Sequence, residues 1–242
     1  TKDSPNISYV DHAGAILASA NRPGRGSKPR QVLVLAERAQ TDFAPGRPAA
    51  FLGMRGMLNG AWTFTADFEE GAIFPEPFPV IARQTMTPAI HVLWAAVWSG
   101  IAAAVLQTAR TFVAKEVPAD TEAATVARFQ LTRLADRHHM MNALIRDAMA
   151  EGGALEHGTG GGGGPSLGHA ARINRLKVCA SDLLGEVCQG ALGVVGIRGY
   201  ATTGPYSLAT PLADGLSAAI MVSNLRLSLN NAKLETFIAE DL

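Results

Sequence analysis

The histidines are the residues of this sequence that could carry acid–base chemistry near neutral pH. His138 and His139 are adjacent within a helical pattern, so their rings face different sides and we expect one solvated and one packed ring. His91 stands at the start of a long apolar segment, where the positive end of a helix dipole keeps an imidazole neutral. A catalytic role for His91 competes with a packed or capping role, and the spacing shows no nucleophile–base pair.

Two further motifs give weaker signals. Cys179 and Cys188 are nine positions apart on a predicted helix, about 13 Å, which is too far for a disulfide. No metal-ligand spacing surrounds them, so we expect free thiols and no metal site. Residues 151–165 are rich in glycine but lack the Lys-Ser/Thr ending of a phosphate loop. The sequence therefore predicts a disordered surface loop there.

The composition excludes several classes of protein. The 242 residues carry 21 basic and 21 acidic side chains, and this zero net charge argues against nucleic acid or an anionic membrane surface as partner. A chain that is 48% hydrophobic and 17% charged is not disordered over most of its length. Its low charge also indicates surface that is buried against partners. Two cysteines that are expected to be free thiols indicate a reducing compartment, so we expect a cytoplasmic protein.

Residues 1–76 have the pattern of antiparallel strands. Residues 31–37 (QVLVLAE) form a strand by length and β-branching. Residues 61–68 (AWTFTADF) alternate, which places Trp62, Phe64, Ala66 and Phe68 on one face. No helix intervenes to allow parallel crossovers, so a half-buried antiparallel sheet is expected.

Residues 77–242 have the pattern of long helices. Thr87-Pro88 predicts a cap followed by proline at the first helical position. The uncharged run 90–106 approaches the length of a membrane span, but its interruptions and alanine content favour the central helix of a bundle over a membrane segment.

Three more helices follow this first one. We expect them from Asp120 or Thr121 to about Ala150, from Ser166 to Val195, and from Leu212 to about Leu234, with a long turn over 196–211. The element order predicts an α+β fold with a partial β-domain at 1–76 and a four-helix bundle at 77–242.

Three segments carry a family resemblance. They are residues 50–56 (AFLGMRG) leading into AWTFTADF, residues 87–113 (TPAIHVLWAAVWSGIAAAVLQTARTFV), and residues 172–227, from RINRL to SNLRL with a Gly-Tyr turn between helices. Their ordered combination resembles the acyl-CoA dehydrogenase family. The resemblance implies FAD bound between subunits of a homo- or heterotetramer. It also implies an acyl-CoA thioester stacked on the flavin, and a glutamate that removes the α-proton while hydride passes to the flavin.

The residues that would carry this chemistry are changed. The family places its glutamate at one of two positions, which here read Met-Val-Ser-Asn at 221–224 and Pro-Ala-Ile-His at 88–91. Neither contains a carboxylate. Ser223 and His91 occupy or adjoin the vacated positions and are weak catalytic candidates, since serine lacks a suitable pKa.

The resemblance also assigns flavin contacts. It implies Gly196, Arg198 and Gly199 as cofactor-binding residues, although Ile197 replaces the second glycine of the family's pair. Residues 115–118 (KEVP) stand where the family has an Arg-x-x-Phe-Gly signature. The family's N-terminal helical domain has no counterpart here, and we expect it to be cleaved, disordered or carried by another chain.

Three functions follow as hypotheses. The chain is an acyl-CoA dehydrogenase-like flavoprotein or a subunit of one, a non-catalytic partner subunit of a heteromeric acyl-CoA dehydrogenase, or a flavin monooxygenase on the same fold. A monooxygenase would need no α-proton base.

Overall fold

The structure, a computed structural model, describes residues 1–22, 30–48, 50–156 and 166–240. The chain divides into two compact units, Thr1–Met86 and Thr87–Leu242. The sequence-based boundary at residue 76 lies at the end of the last strand.

The described residues of the first unit form six strands. They are β1 Lys2–Ser8, β2 Ala15–Arg22, β3 Arg30–Glu37, β4 Thr41–Pro45, β5 Asn59–Ala66 and β6 Ile73–Pro77. Two three-stranded sheets result, with orders β1-β5-β4 and β2-β3-β6. Every pairing is antiparallel, as the sequence predicts.

Strand β5 shows how alternation builds this unit. Phe64 is buried, and its neighbour Thr65 is exposed. Phe43 of β4 lies opposite Phe64, with ring centroids 6.0 Å apart, and meets the Trp62 ring edge-on at 6.2 Å. Phe68 lies beyond the end of β5 and is exposed, so the predicted apolar face ends before it.

Helices make up the second unit and the C-terminal end of the first. They are α1 Phe78–Ile81, α2 Thr87–Glu116, α3 Glu122–Glu156, α4 Leu167–Val195, α5 Ile197–Tyr200, α6 Ala209–Leu216 and α7 Asn224–Glu240. Thr121 caps α3 by accepting the Ala124 N–H at 3.2 Å, and Ser166 caps α4 by accepting the His169 N–H at 3.1 Å. Both helix starts agree with the sequence-based expectation.

Helix α2 begins at Thr87, where Thr87-Pro88 predicts a helix start, but no extended cap precedes it. A helical path already runs from Phe78, with a π-helical turn at Ala82–Met86 before α2. Pro88 lacks an N–H and its ring crowds the carbonyl four residues earlier, so the irregular turn lies where the regular bonding is interrupted.

The core of the second unit forms around α4, which packs against α2, α3 and α7. Among the described residues, two segments, Phe78–Glu116 and Leu167–Val195, are long and apolar enough to cross a membrane by length and composition. Their buried residues, among them Ala102, Leu106 and Leu184, belong to this core. That burial is what a central bundle helix requires, because neighbouring helices cover its apolar stripe.

The predicted glycine-rich loop begins too early. Helix α3 continues to Glu156, so the backbone of residues 151–156 is helical, while 157–165 lie outside the described residues. Ala154, Leu155 and Glu156 are strong helix formers and can extend the helix past the first glycines.

The predicted last helix is two helices. Helix α6 ends at Leu216, α7 begins at Asn224, and residues 217–223, here called the connector, form turns between them. Val222 in the connector has a φ of 47°, which is rare for a β-branched residue. The cause of the break lies on another helix.

Candidate functional site

Lys177 of α4 is fully buried beside the connector. Its Nζ donates to the carbonyl oxygens of Ala218 at 2.9 Å and Val222 at 3.0 Å, and to Asn224 Oδ1 at 2.6 Å. An ammonium group has three donors, and each has an acceptor here. The Lys177 ammonium therefore donates hydrogen bonds to two carbonyls of the connector, at the point where the predicted helix is broken.

Asn224 links Lys177 to its nearest counter-charge. The Asn224 Nδ2 donates to Ser181 Oγ at 2.9 Å and to Asp182 Oδ1 at 3.0 Å. Burial lowers the pKa of Lys177 to about 8, and the Asp182 carboxylate opposes that shift. A buried cation thus remains largely protonated at neutral pH, and no carboxylate of the described residues pairs with it directly.

An aromatic ladder on α2 lies next to this lysine. The rings of His91, Trp94 and Trp98 stack in sequence with centroids 6.0 and 6.1 Å apart. Lys177 Nζ lies 5.6 Å from the centroid of Trp98, within cation–π range. The indole face therefore supplies part of the stabilisation that the amine loses when it leaves water.

The two positions where the resemblance expects a base converge on Lys177. His91 is 2% exposed, and the positive charge of Lys177 contributes to lowering the pKa of its ring. Val222 and Asn224, on either side of Ser223, accept hydrogen bonds from Lys177. Sequence reasoning missed Lys177. Its spacing from Ile173, four residues earlier, and from Ala180 and Leu184 placed it on the apolar stripe of α4 and could have revealed its burial.

Ser223 caps a helix. It is exposed, and its Oγ accepts the Arg226 N–H at 3.4 Å, three residues into α7. We expect Ser223→Ala to lower the free energy of unfolding by about 0.5–1 kcal/mol through loss of the cap. Ser223→Asp, which restores a capping oxygen, should recover it in urea unfolding. A loss that Asp does not recover would contradict the capping role.

His91 is packed and bonded to the backbone. Its Nδ1 lies 3.3 Å from the Ile173 carbonyl oxygen, to which the N–H donates. Burial lowers the pKa of His91, the bond to Ile173 opposes this, and the charge of Lys177 lowers the pKa further.

The pKa of His91 predicts a pH dependence of stability. Below the ordinary histidine pKa of 6.5, the unfolded chain binds a proton that the folded His91 resists, so the free energy of unfolding decreases as the pH is lowered through that window. His91→Gln should remove part of this fall between pH 7.5 and 5.5, measured by urea unfolding. His12→Gln, at an unburied histidine, is the control, and an equal effect of both variants would contradict the account.

The turn that holds the predicted flavin contacts is built around Gly196. Gly196 ends α4 with a φ of 66° and a ψ of −142°, which only glycine adopts readily, and a Cβ there would meet open space. Gly199 is buried, and a Cβ on it would lie 3.1 Å from Val195. Close packing explains Gly199, and backbone conformation explains Gly196.

Arg198 is engaged with α2. Its guanidinium pairs with the Glu116 carboxylate, which also accepts the Tyr206 hydroxyl at 2.9 Å. These two bonds hold the pKa of Glu116 below its usual value, and Glu116 in turn raises the pKa of Tyr206. The turn therefore fits a flavin only in part, because Gly196 leaves space beside the backbone while Arg198 is committed to Glu116.

A serine–histidine contact joins α2 and α3, although the sequence spacing indicates no nucleophile–base pair. Ser99 Oγ lies 3.0 Å from His138 Nε2 and donates to Asn142 Oδ1 at 2.7 Å, while His139 is exposed. Asn142 Nδ2 lies 3.2 Å from that same Nε2, so no carboxylate orients the imidazole through the described contacts. The cluster serves as a half-buried polar contact between helices, and the expectation of one packed and one solvated ring is confirmed.

Neither a protein-family model nor a curated protein matches the sequence, but solved structures do. The acyl-CoA dehydrogenase from Geobacillus kaustophilus superposes with a TM-score of 0.78 at 16% identity, over 96% of this chain and 59% of that one. Butyryl-CoA dehydrogenase from Megasphaera elsdenii gives 0.80 at 16% identity, over 96% and 58%. The chain has the acyl-CoA dehydrogenase fold. The predicted α+β architecture is thereby confirmed.

The acyl-CoA dehydrogenase fold is shared by proteins with other activities. Dibenzothiophene monooxygenase from Paenibacillus sp. A11-2 superposes with a TM-score of 0.76 at 16% identity, over 99% of this chain and 64% of that one. The chain spans about three fifths of the length of the acyl-CoA dehydrogenases it matches. At this identity the likeness establishes the fold.

Proposed function

We propose that the chain is a subunit of an FAD-dependent, acyl-CoA dehydrogenase-like flavoprotein that acts on acyl-CoA-type thioesters and does not supply the α-proton base itself. The convergence of positions 88–91 and 221–224 on Lys177 carries this proposal. We further propose that the protein works as a homo- or heterotetramer in the cytoplasm, with another chain or segment supplying an N-terminal helical domain.

The chemistry of α-proton removal explains why a second source of base is needed. The reaction requires a group with a free lone pair and a pKa near the working pH, within reach of the carbon acid. Lys177 has a suitable pKa of about 8, but its amine is fully buried and all three donors are engaged. His91 keeps its Nδ1 proton on the Ile173 carbonyl and is 2% exposed. Neither side chain can reach a substrate in this arrangement.

The flavin would be only partly bound by this chain. The open space beside Gly196 allows close approach to the backbone, whereas Arg198 would have to leave Glu116 to contact a cofactor. FAD supplies the hydride chemistry when bound, and the role of this chain is to shape one wall of its site.

The flavin absorbance spectrum tests this proposal. We expect the purified chain to be colourless or weakly coloured alone, and to retain stoichiometric FAD when mixed with a polypeptide that carries an acyl-CoA dehydrogenase N-terminal helical domain. FAD that is retained by the chain alone and bleached by butyryl-CoA would contradict the proposal. The variant Glu116→Gln, which frees Arg198, should increase flavin retention if that guanidinium contacts the cofactor.

Two other functions have some support. A non-catalytic partner subunit is favoured by the buried cation where a carboxylate base would lie. Its assembly with the helical-domain polypeptide would leave FAD unreduced by any acyl-CoA. A flavin monooxygenase is favoured by the likeness to the Paenibacillus enzyme over 99% of this chain. It would consume oxygen with reduced flavin and an aromatic substrate, and acyl-CoA would not affect that consumption.

A further inference from the structure

The connector is held by a side chain from a different helix. Of its seven residues, Ala218 is fully buried and its carbonyl bonds to Lys177, as does the carbonyl of Val222 at the other end. These two carbonyls are four positions apart, and a continuous helix would have used the first for an intrahelical bond. One ammonium group therefore bonds a carbonyl near each end of the connector, beside local backbone bonds such as that from the Met221 N–H to the Ser217 carbonyl at 2.9 Å.

The backbone conformation of the connector needs this support. Val222 adopts the left-handed region, which costs a β-branched residue free energy and persists only where surrounding contacts hold it. The Lys177 bond to the Val222 carbonyl is such a contact, and it sets the direction in which the chain enters α7. Ser223, the next residue, is thereby placed on the surface as the cap of α7.

A second set of bonds fixes the first residue of α7. Asn224 accepts from Lys177 and donates to both Ser181 and Asp182, so its amide orientation is fully determined by α4. Lys177 and the adjacent residues Ser181 and Asp182, about one turn further along α4, all contact this one side chain. The position of α7 relative to α4 is thus defined at its N-terminus by polar contacts that run from the buried Lys177 amine to the exposed Asp182 carboxylate, and an unmade bond is costly at the buried end.

We propose that Lys177 is the positioning residue of this site: from α4 it fixes the connector and the first turn of α7, and so the surface that the acyl-CoA-type substrate would meet. This inference rests on the proposed function for its substrate. The positioning itself can be measured on the chain without flavin or thioester, so its failure is distinct from failure of the proposed function.

Hydrogen exchange of the full chain tests the positioning. Lys177→Met keeps a long apolar side chain but removes the donors, and Arg175→Met is the matched control. Arg175 is a cation on the same helix that bonds to Glu235 of α7 at 2.7 Å but is exposed. We expect amides of peptides covering 217–224 to exchange about tenfold faster in Lys177→Met and at the wild-type rate in Arg175→Met. Wild-type exchange in Lys177→Met would overturn the proposal.

Two further measurements guard against a variant that fails to fold. Asn224→Ala removes one acceptor and should also accelerate exchange of the 217–224 peptides, whereas unchanged exchange would overturn the proposal.

The second measurement is tryptophan fluorescence in a Trp62→Phe background. Its intensity should change with pH around a midpoint near pH 8, because Lys177 contacts Trp98. The signal should vanish in Trp98→Phe. A titration identical in the presence and absence of Trp98 would place the lysine elsewhere and overturn the proposal.

Discussion

Lys177→Met should lower the free energy of unfolding by about 2–3 kcal/mol at pH 7, because the Ala218 and Val222 carbonyls and the Asn224 side-chain oxygen each lose their donor. Removing a buried charge recovers part of that cost, since the ammonium no longer has to leave water. Ala218 is fully buried, so water cannot replace the donor without opening the connector. The net effect is therefore a loss of stability.

The size of this loss should depend on pH in a definite direction. The folded pKa of Lys177 is about 8 and the ordinary value is 10.5, so between these values the folded protein releases a proton that the unfolded chain retains. The stability of the wild type should rise with pH across that window, and Lys177→Met should lack this rise. The difference between the two proteins should be larger at pH 9.5 than at pH 7.

Urea unfolding at both pH values measures these effects, and Arg175→Met is again the control. Its ion pair with Glu235 is exposed, so its removal should change the stability by less than about 1 kcal/mol at either pH. A Lys177→Met variant that is as stable as the wild type, or one whose deficit shrinks as pH rises, would contradict the assignment of the buried ammonium.

Trp98→Ala should be the most destabilising single truncation near the site, with a loss of about 3–5 kcal/mol. The indole is 3% exposed, belongs to the bundle core, stacks on Trp94 and lies under Lys177. The truncation leaves a cavity and also removes the aromatic face that the ammonium contacts.

Trp94→Ala separates burial from ring stacking. Trp94 is half-buried and stacks on the same neighbours, so we expect a smaller loss from its truncation. A double-mutant cycle of Trp98→Phe with Lys177→Met measures the direct coupling of ring and amine. Equal losses for Trp98→Ala and Trp94→Ala in chemical unfolding would contradict the central position of Trp98.

Local patterns predict the elements of this fold well. The alternation around Phe64 gives β5, and the hydroxyl caps at Thr121 and Ser166 give the starts of α3 and α4. These features depend on neighbours in sequence, because strand alternation and helix capping are set within a few residues. The convergence of His91 and the connector follows only once the helices pack.

The local sequence gives little sign of the break between α6 and α7 apart from the Ser223 hydroxyl that caps α7. The apolar spacing from Leu212 to Leu234 continues across the connector, and no glycine or proline interrupts residues 216–223. At this break the helix gives way to turns whose Ala218 and Val222 carbonyls accept hydrogen bonds from Lys177, which lies 41 and 45 residues earlier in the sequence. Helical periodicity places Lys177 on a buried face but does not reveal its acceptors.

Exchange of the acyl α-protons with solvent deuterium tests the central claim most directly. The chain, supplied with FAD and butyryl-CoA under anaerobic conditions in D₂O, is monitored by mass spectrometry of the thioester, with a butyryl-CoA dehydrogenase as positive control. Because positions 88–91 and 221–224 carry no carboxylate and Lys177 is buried with its donors engaged, we predict no deuterium at the α-carbon beyond the buffer rate. Incorporation that is lost in Lys177→Met or His91→Gln would contradict the account.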